Sequence, residues 1–165
     1  MRFLSLALAI VACQASSVGQ PNATVTPTQR AAIADTVQKL TSDFLAAMQS
    51  VDADKASSFD TRSPDYAFLS EDGGICRTPE TCAKMNKEGW QSVKSMQIRV
   101  TDSKIAVASP TVAVETMNIG GSIFPKSGKP VVIDKAAITI VWVREAAGWK
   151  MLTFHQSFTP PKTQS

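Results

Sequence analysis

Between residues 27 and 51 the apolar positions recur at spacings of three and four: Ile33, Val37, Leu40, Phe44, Met48 and Val51. That period gathers them on one face of an amphipathic helix of about six turns. The start is marked by Thr26-Pro27-Thr28-Gln29: a threonine cap, a proline at the first helical position, and a glutamine placed to close a capping box. Asp52 caps a short second helix that reaches Phe59. Tyr66 to Ser70 reads as a strand, Glu71-Asp72-Gly73-Gly74 as a turn, and Ile75-Cys76-Arg77 as the returning strand. Thr78-Pro79-Glu80 opens a further helix to about Val93, with Met85, Gly89, Trp90 and Val93 on one side.

Beyond Val93 the period changes from helical to alternating. Met96 to Ala108 carries Ile98, Val100, Ile105 and Val107 as its apolar positions. Pro110 breaks the run, and Thr111 to Phe124 follows, with Gly120-Gly121 predicting a bulge or sharp bend. Val131 to Glu145 and Trp149 to Phe158 form a hairpin across Ala146-Ala147-Gly148, and Pro160-Pro161 ends the pattern. Helices first and strands last predict an α+β fold, with helices packed on one face of a curved, mostly antiparallel sheet of four or five strands.

The chain has 165 residues, 44% of them apolar and 19% charged, which suits one folded domain. Its net charge of +3 comes from lysines scattered between Lys39 and Lys162. No basic run is interleaved with aromatics, so nucleic acid is not an expected partner.

Met1-Arg2 and the apolar stretch from Phe3 to Ala12 fit a secretory signal, a stretch far too short to span a bilayer. Ile10-Val11-Ala12-Cys13 resembles the bacterial lipobox, which implies a signal peptide over 1–12 and a lipidated Cys13. Residues 13–26 then form the lipidated cysteine and a flexible tether, 27–159 the domain and 160–165 a polar tail. The resulting expectation is an exported lipoprotein of the cell envelope, anchored to the membrane through Cys13. Two alternatives stay open: cleavage after Ala15 or Gly19, releasing a soluble secreted protein, and a cytoplasmic protein with an apolar first strand. With Cys13 set aside, Cys76 and Cys82 remain, five residues apart, and can close a local disulfide in an oxidising compartment. No second cysteine or histidine pair completes a tetrahedral metal site, so no metal is expected.

Gly148-Trp149-Lys150 leading to Phe154-His155-Gln156-Ser157, preceded by the strand Ala136 to Arg144, resembles the ending of the SnoaL-like branch of the nuclear transport factor 2-like superfamily. The likeness covers about residues 30 to 159. The final motif is also similar to that of the association domain of calcium/calmodulin-dependent kinases. The resemblance implies a cone-shaped roll, its helices closing one end of the sheet around a pocket. It does not choose among isomerases, cyclases, dehydratases, binders and assembly domains.

Candidate pocket residues follow. Strict alternation places Trp149, Met151, Thr153, His155 and Ser157 on one face of the last strand, and Leu152, Phe154 and Phe158 on the other. His155, the only histidine, either enters the cone as a ligand contact or proton shuttle, or is structural. Glu115 shares a face with Ala113 and Met117; it is either a buried carboxylate suited to proton abstraction or an exposed one. Tyr66, the only tyrosine, is either an oxyanion donor or a half-buried strand residue. Trp90 and Trp142 are pocket walls or core. The tyrosine-plus-aspartate constellation of the superfamily's isomerases cannot be placed: Asp65, Glu71 and Asp72 flank turns, and no second interior acid is evident. With no phosphate loop, nucleophile elbow or metal-binding helix motif, no cofactor is expected.

The leading expectation is therefore a domain that binds a small hydrophobic or amphipathic molecule or mediates assembly, with a homodimer formed through an apolar sheet face. The alternative is an isomerase, cyclase or dehydratase acting on a hydrophobic carbonyl compound by general acid/base chemistry.

Overall fold

The computed structural model describes residues 24–70 and 73–158. The signal segment 1–12, Cys13, most of the tether and the tail 160–165 lie outside the described residues, as do Glu71 and Asp72 of the first turn. Helix α1 spans Pro27–Gln49 and begins as expected: the Gln29 amide donates to Thr26 Oγ1 at 3.2 Å, and the Thr26 amide to Gln29 Oε1 at 3.0 Å. It ends before Val51, whose φ of 58° turns the chain into α2, Ala53–Ser57. Strands β1 (Ala67–Leu69) and β2 (Ile75–Cys76) form the small hairpin, and α3 runs from Pro79 to Trp90 behind the Thr78 cap. Four long strands follow: β3 Val93–Ser109, β4 Val112–Pro125, β5 Val131–Glu145 and β6 Gly148–Phe158. Among the described residues no helix is long and apolar enough to cross a membrane.

All six strands form one sheet in the order β2-β1-β6-β5-β4-β3. The expectation of four or five strands undercounts it, because β1 adds to the β6 edge in parallel, Phe68 facing Phe154. That pairing joins segments about half the chain apart and leaves no local pattern. The other pairings are antiparallel.

Helix α1 packs across β3 and β4. Arg30 donates to the Val107 carbonyl at 2.6 Å, tying the helix start to the end of β3. The core lies between that helix and the inner sheet face: Val37 and Phe44 from α1, Ala113, Met117 and Ile119 from β4, Ile138, Ile140 and Trp142 from β5.

Two irregularities bend the sheet around this core. In β4 the register slips between Ile119 and Gly121, as the glycine pair predicts. A Cβ on Gly121 would lie 1.8 Å from the Gln97 carbonyl oxygen, so only glycine lets β3 approach there. In β6 the register slips where Val141 pairs with Thr153 but Trp142 pairs with Met151, leaving Leu152 as the extra residue. The second slip breaks the expected alternation of the last strand: Met151 shares the inner face with Phe154 and Phe158 rather than with Thr153 and His155.

Candidate functional site

The helices and the bent sheet enclose a cavity of about 280 Å³. Phe44 and Met48 of α1 form one wall, Asn86, Gly89 and Trp90 of α3 another, and Met96, Ile98, Ile119 and Ile138 of the sheet a third. Phe68 of β1 and Met151, Phe154, Gln156 and Phe158 of β6 also line it. Exposed Gly89 and Gln97 mark its mouth, whereas Ile138, Met151 and Phe154 are buried at its base. An aromatic cluster stiffens that base: Phe68 stacks on Phe154 at 5.4 Å, and Phe44 meets Phe154 edge-on at 5.7 Å.

Into this apolar space the segment after α2 delivers a carboxylate, Asp60. The Met151 amide donates to the Phe59 carbonyl at 2.8 Å, and the Thr61 amide to the Met151 carbonyl at 2.9 Å. This bridge to β6 fixes Asp60, only 8% exposed, against the cavity. Burial pushes its carboxyl up to about 7, against the opposing pull of the Tyr66 hydrogen bond and the charges of Arg62 and Lys150. Tyr66, also buried and also lining the cavity, donates its phenol to Asp60. Burial and the neighbouring carboxylate both push the phenol up, so it stays a neutral donor. The pair thus offers a proton acceptor poised near neutrality beside a fixed O–H, which suits proton transfer to or from a bound ligand.

Of the five candidate pocket residues, Tyr66 and Trp90 line the cavity. His155 does not. The bulge at Leu152 turns Phe154, Gln156 and Phe158 inward, and His155 is exposed on the outer face opposite Thr139. Glu115 is buried, 2% exposed, yet away from the cavity; it accepts hydrogen bonds from Thr41 of α1 and from Ser103 of β3. It pins α1 to the sheet. Trp142 is fully buried among core residues, its indole N–H without a hydrogen-bond partner, and it does not reach the cavity. Asp60 escapes sequence reasoning because it sits in a polar run that resembles an exposed loop, and its inward aim depends on the distant Met151. The sole tyrosine six residues later is the only local signal.

Cys76 and Cys82 are bonded, with their Cα atoms 5.8 Å apart. Both are buried in a small cluster with Tyr66, so the disulfide backs the tyrosine that meets Asp60. Among the described residues, no group of three metal-ligating side chains is assembled.

A family model described as a SnoaL-like domain matches residues 37–161. Among solved structures, a candidate dehydratase of the nuclear transport factor 2-like family from Streptomyces avermitilis is similar, with a TM-score of 0.68 and 18% identity over 78% of this chain and 97% of that one. A nuclear transport factor 2-like superfamily protein from Salmonella enterica serovar Typhimurium gives 0.70 and 13% over 82% and 98%. A candidate scytalone dehydratase from Novosphingobium aromaticivorans gives 0.73 and 8% over 81% and 89%. At these identities the likeness establishes the fold. No curated protein matches the chain.

Proposed function

This chain belongs to the SnoaL-like domain family, and on that premise we propose that its cavity binds a small, largely apolar carbonyl compound and moves a proton on it through Asp60. The observation that carries this reading is the convergence of two titratable groups, Asp60 and Tyr66, on one enclosed apolar space. A pure binding or assembly domain has no need of a buried carboxyl held near neutrality. The reading therefore moves from the binding domain first expected to the alternative, an isomerase, cyclase or dehydratase. That two neighbouring structures are candidate dehydratases agrees with it.

In the proposed step the ionised Asp60 takes a proton from the carbon beside the carbonyl; the electron pair of that C–H bond becomes the carbon–carbon double bond of an enolate, and the π pair of the carbonyl moves onto its oxygen. Protonation of Asp60 frees the Tyr66 O–H, which turns to the developing enolate oxygen. The apolar walls exclude water and strengthen both interactions.

The test is solvent deuterium exchange into hydrophobic ketones, followed by NMR. Wild type should exchange the proton beside the carbonyl with a rate rising through about pH 7, the range of the Asp60 carboxyl. Asp60→Asn should lose about a hundredfold or more. Ketones that bind without exchanging would reduce the function to binding.

Export and anchoring through Cys13 are proposed alongside. The supporting observations are the lipobox-like segment and the Cys76–Cys82 disulfide, a bond suited to an oxidising compartment. Mass spectrometry of the native protein should find a lipid on Cys13; an unmodified N-terminus beyond it would make the protein a soluble secreted one.

A further inference from the structure

Asp60 is presented by a segment with little regular structure of its own. The chain leaves α2 at Ser58, meets β6 at an isolated bridge between Asp60 and Met151, and turns toward Tyr66. A bridge is the smallest unit of strand pairing, and a slip of one residue sends each side chain to the other face. Such a slip would put Thr61 against the cavity and take Asp60 out of it. In the structure Thr61 is fully buried and does not line the cavity, whereas its neighbour Asp60 does.

The Thr61 hydroxyl supplies the anchor that holds this register. It donates to the Glu145 carboxylate at the end of β5 and accepts from the Ser63 amide at 3.0 Å. Glu145 stands at the turn end of the β5–β6 hairpin, opposite Gly148. It is exposed, forms no ion pair among the described residues and does not line the cavity. From Ser63 the network continues to the phenol, because the Tyr66 amide donates to the Ser63 carbonyl at 3.2 Å. One hydroxyl thus governs both members of the pair, Asp60 as its chain neighbour and Tyr66 through the Ser63 turn.

We infer that Thr61 and Glu145 are positioning residues: the carboxylate on the sheet holds the threonine, and the threonine keeps Asp60 in register and in reach of Tyr66. The inference rests on the reading of Asp60 and Tyr66 as a proton-transfer pair. Glu145 acts through a hydrogen bond, so it must offer an acceptor and need not carry a charge.

The test combines deuterium exchange into α-tetralone, a two-ring ketone with protons beside its carbonyl, and titration of the Asp60 carboxyl followed by NMR. Thr61→Val, which keeps the shape and removes the hydroxyl, and Glu145→Ala should each lower kcat for exchange about tenfold, with KM within about twofold of wild type. The double variant should lose no more than either single one. Thr61→Ser and Glu145→Gln, both able to remake the bond, should recover to within about threefold of wild type.

The titration is the readout that lost packing alone would not move. Burial holds the Asp60 carboxyl up at about 7 against Tyr66 and the charges of Arg62 and Lys150. A changed aim alters both burial and the Tyr66 bond, so the midpoint should shift by about half a pH unit or more in Thr61→Val and Glu145→Ala, and return in Thr61→Ser and Glu145→Gln. Should Thr61→Val fail to fold, Glu145→Ala, at an exposed position, carries the same test. A wild-type midpoint in Glu145→Ala, or a rate loss in Glu145→Gln equal to that in Glu145→Ala, overturns the inference and leaves Asp60 and Tyr66 as the pair. If wild type exchanges no proton of α-tetralone, the carbonyl reading falls, and the titration alone decides whether Thr61 and Glu145 aim Asp60.

Discussion

Asp60 and Glu115 are both buried carboxylates, and their surroundings assign them different work. Glu115 accepts from two hydroxyls, Thr41 and Ser103, on two different elements, and does not line the cavity. Asp60 has a phenol on one side and an apolar cavity on the other, and burial pushes it up to about 7 from 3.8. Below about pH 4 the folded and unfolded chains both hold this proton. Between there and about 7 the folded chain still holds a proton that the unfolded chain has released, so stability falls as pH rises. The loss is complete above the folded value and amounts to a few kcal/mol at most. Asp60→Asn should remove this slope: calorimetry from pH 4 to 8 should give the variant a flatter Tm profile, and a Tm at pH 8 no lower than wild type. Parallel profiles would mean that Asp60 is ionised throughout and would remove the basis for its role as a proton shuttle.

At the scale of elements, α3 is the weakly held wall. Only Pro79 and Cys82 are buried on it, while Met85 is 56% exposed. Its ion pairs, Arg62 to Glu80 at 2.6 Å and Lys87 to Asp54 at 2.9 Å, are exposed and contribute little. The Cys76–Cys82 bond is what ties α3 to β2 and, through the shared cluster, to Tyr66. A loop this short contributes about 2 kcal/mol by restricting the unfolded chain. Reduction should raise amide hydrogen exchange over residues 79–90 and weaken binding of the hydrophobic ketones, while β3 to β6 stay protected. Unchanged exchange in α3 would assign its position to packing alone. Capping and periodicity made this helix, α1 and the four long strands legible in the sequence, because those signals are local. What decides the site is not local. The bulge at Leu152 is set by pairing with β5, and it takes His155 out of the cavity while bringing Gln156 in. The inward aim of Asp60 is set by Met151, about ninety positions away.

At the scale of the whole fold, the helices cover one face of the sheet, and among the described residues no element packs on the other. Val112, Val114, Thr116 and Asn118 of β4, Ala137, Thr139 and Val141 of β5, and Thr153, His155 and Ser157 of β6 alternate with the buried positions and so share that outer face. Its centre carries no lysine, arginine, aspartate or glutamate, although the chain spends 19% of its residues on charge. A broad, half-apolar sheet face whose charges, Asp102 and Lys104 beside Asn118 and Thr116, stay on the β3 edge can meet its own copy under a two-fold axis with its uncharged strands at the centre. The homodimer expected from the sequence is therefore proposed through this face, where His155 becomes an interface residue. Sedimentation velocity at micromolar concentration should give twice the 17.7 kDa chain mass, less any segment removed on export. Val141→Arg, which places two like charges near the axis, should shift the protein to monomer. Because Val141 is opposite in parity to the cavity-lining Ile138, the monomer should still bind the hydrophobic ketones. A wild type that sediments as a monomer would overturn the dimer without touching the cavity; a variant that loses binding together with association would show instead that the sheet needs its partner to hold the cavity's shape.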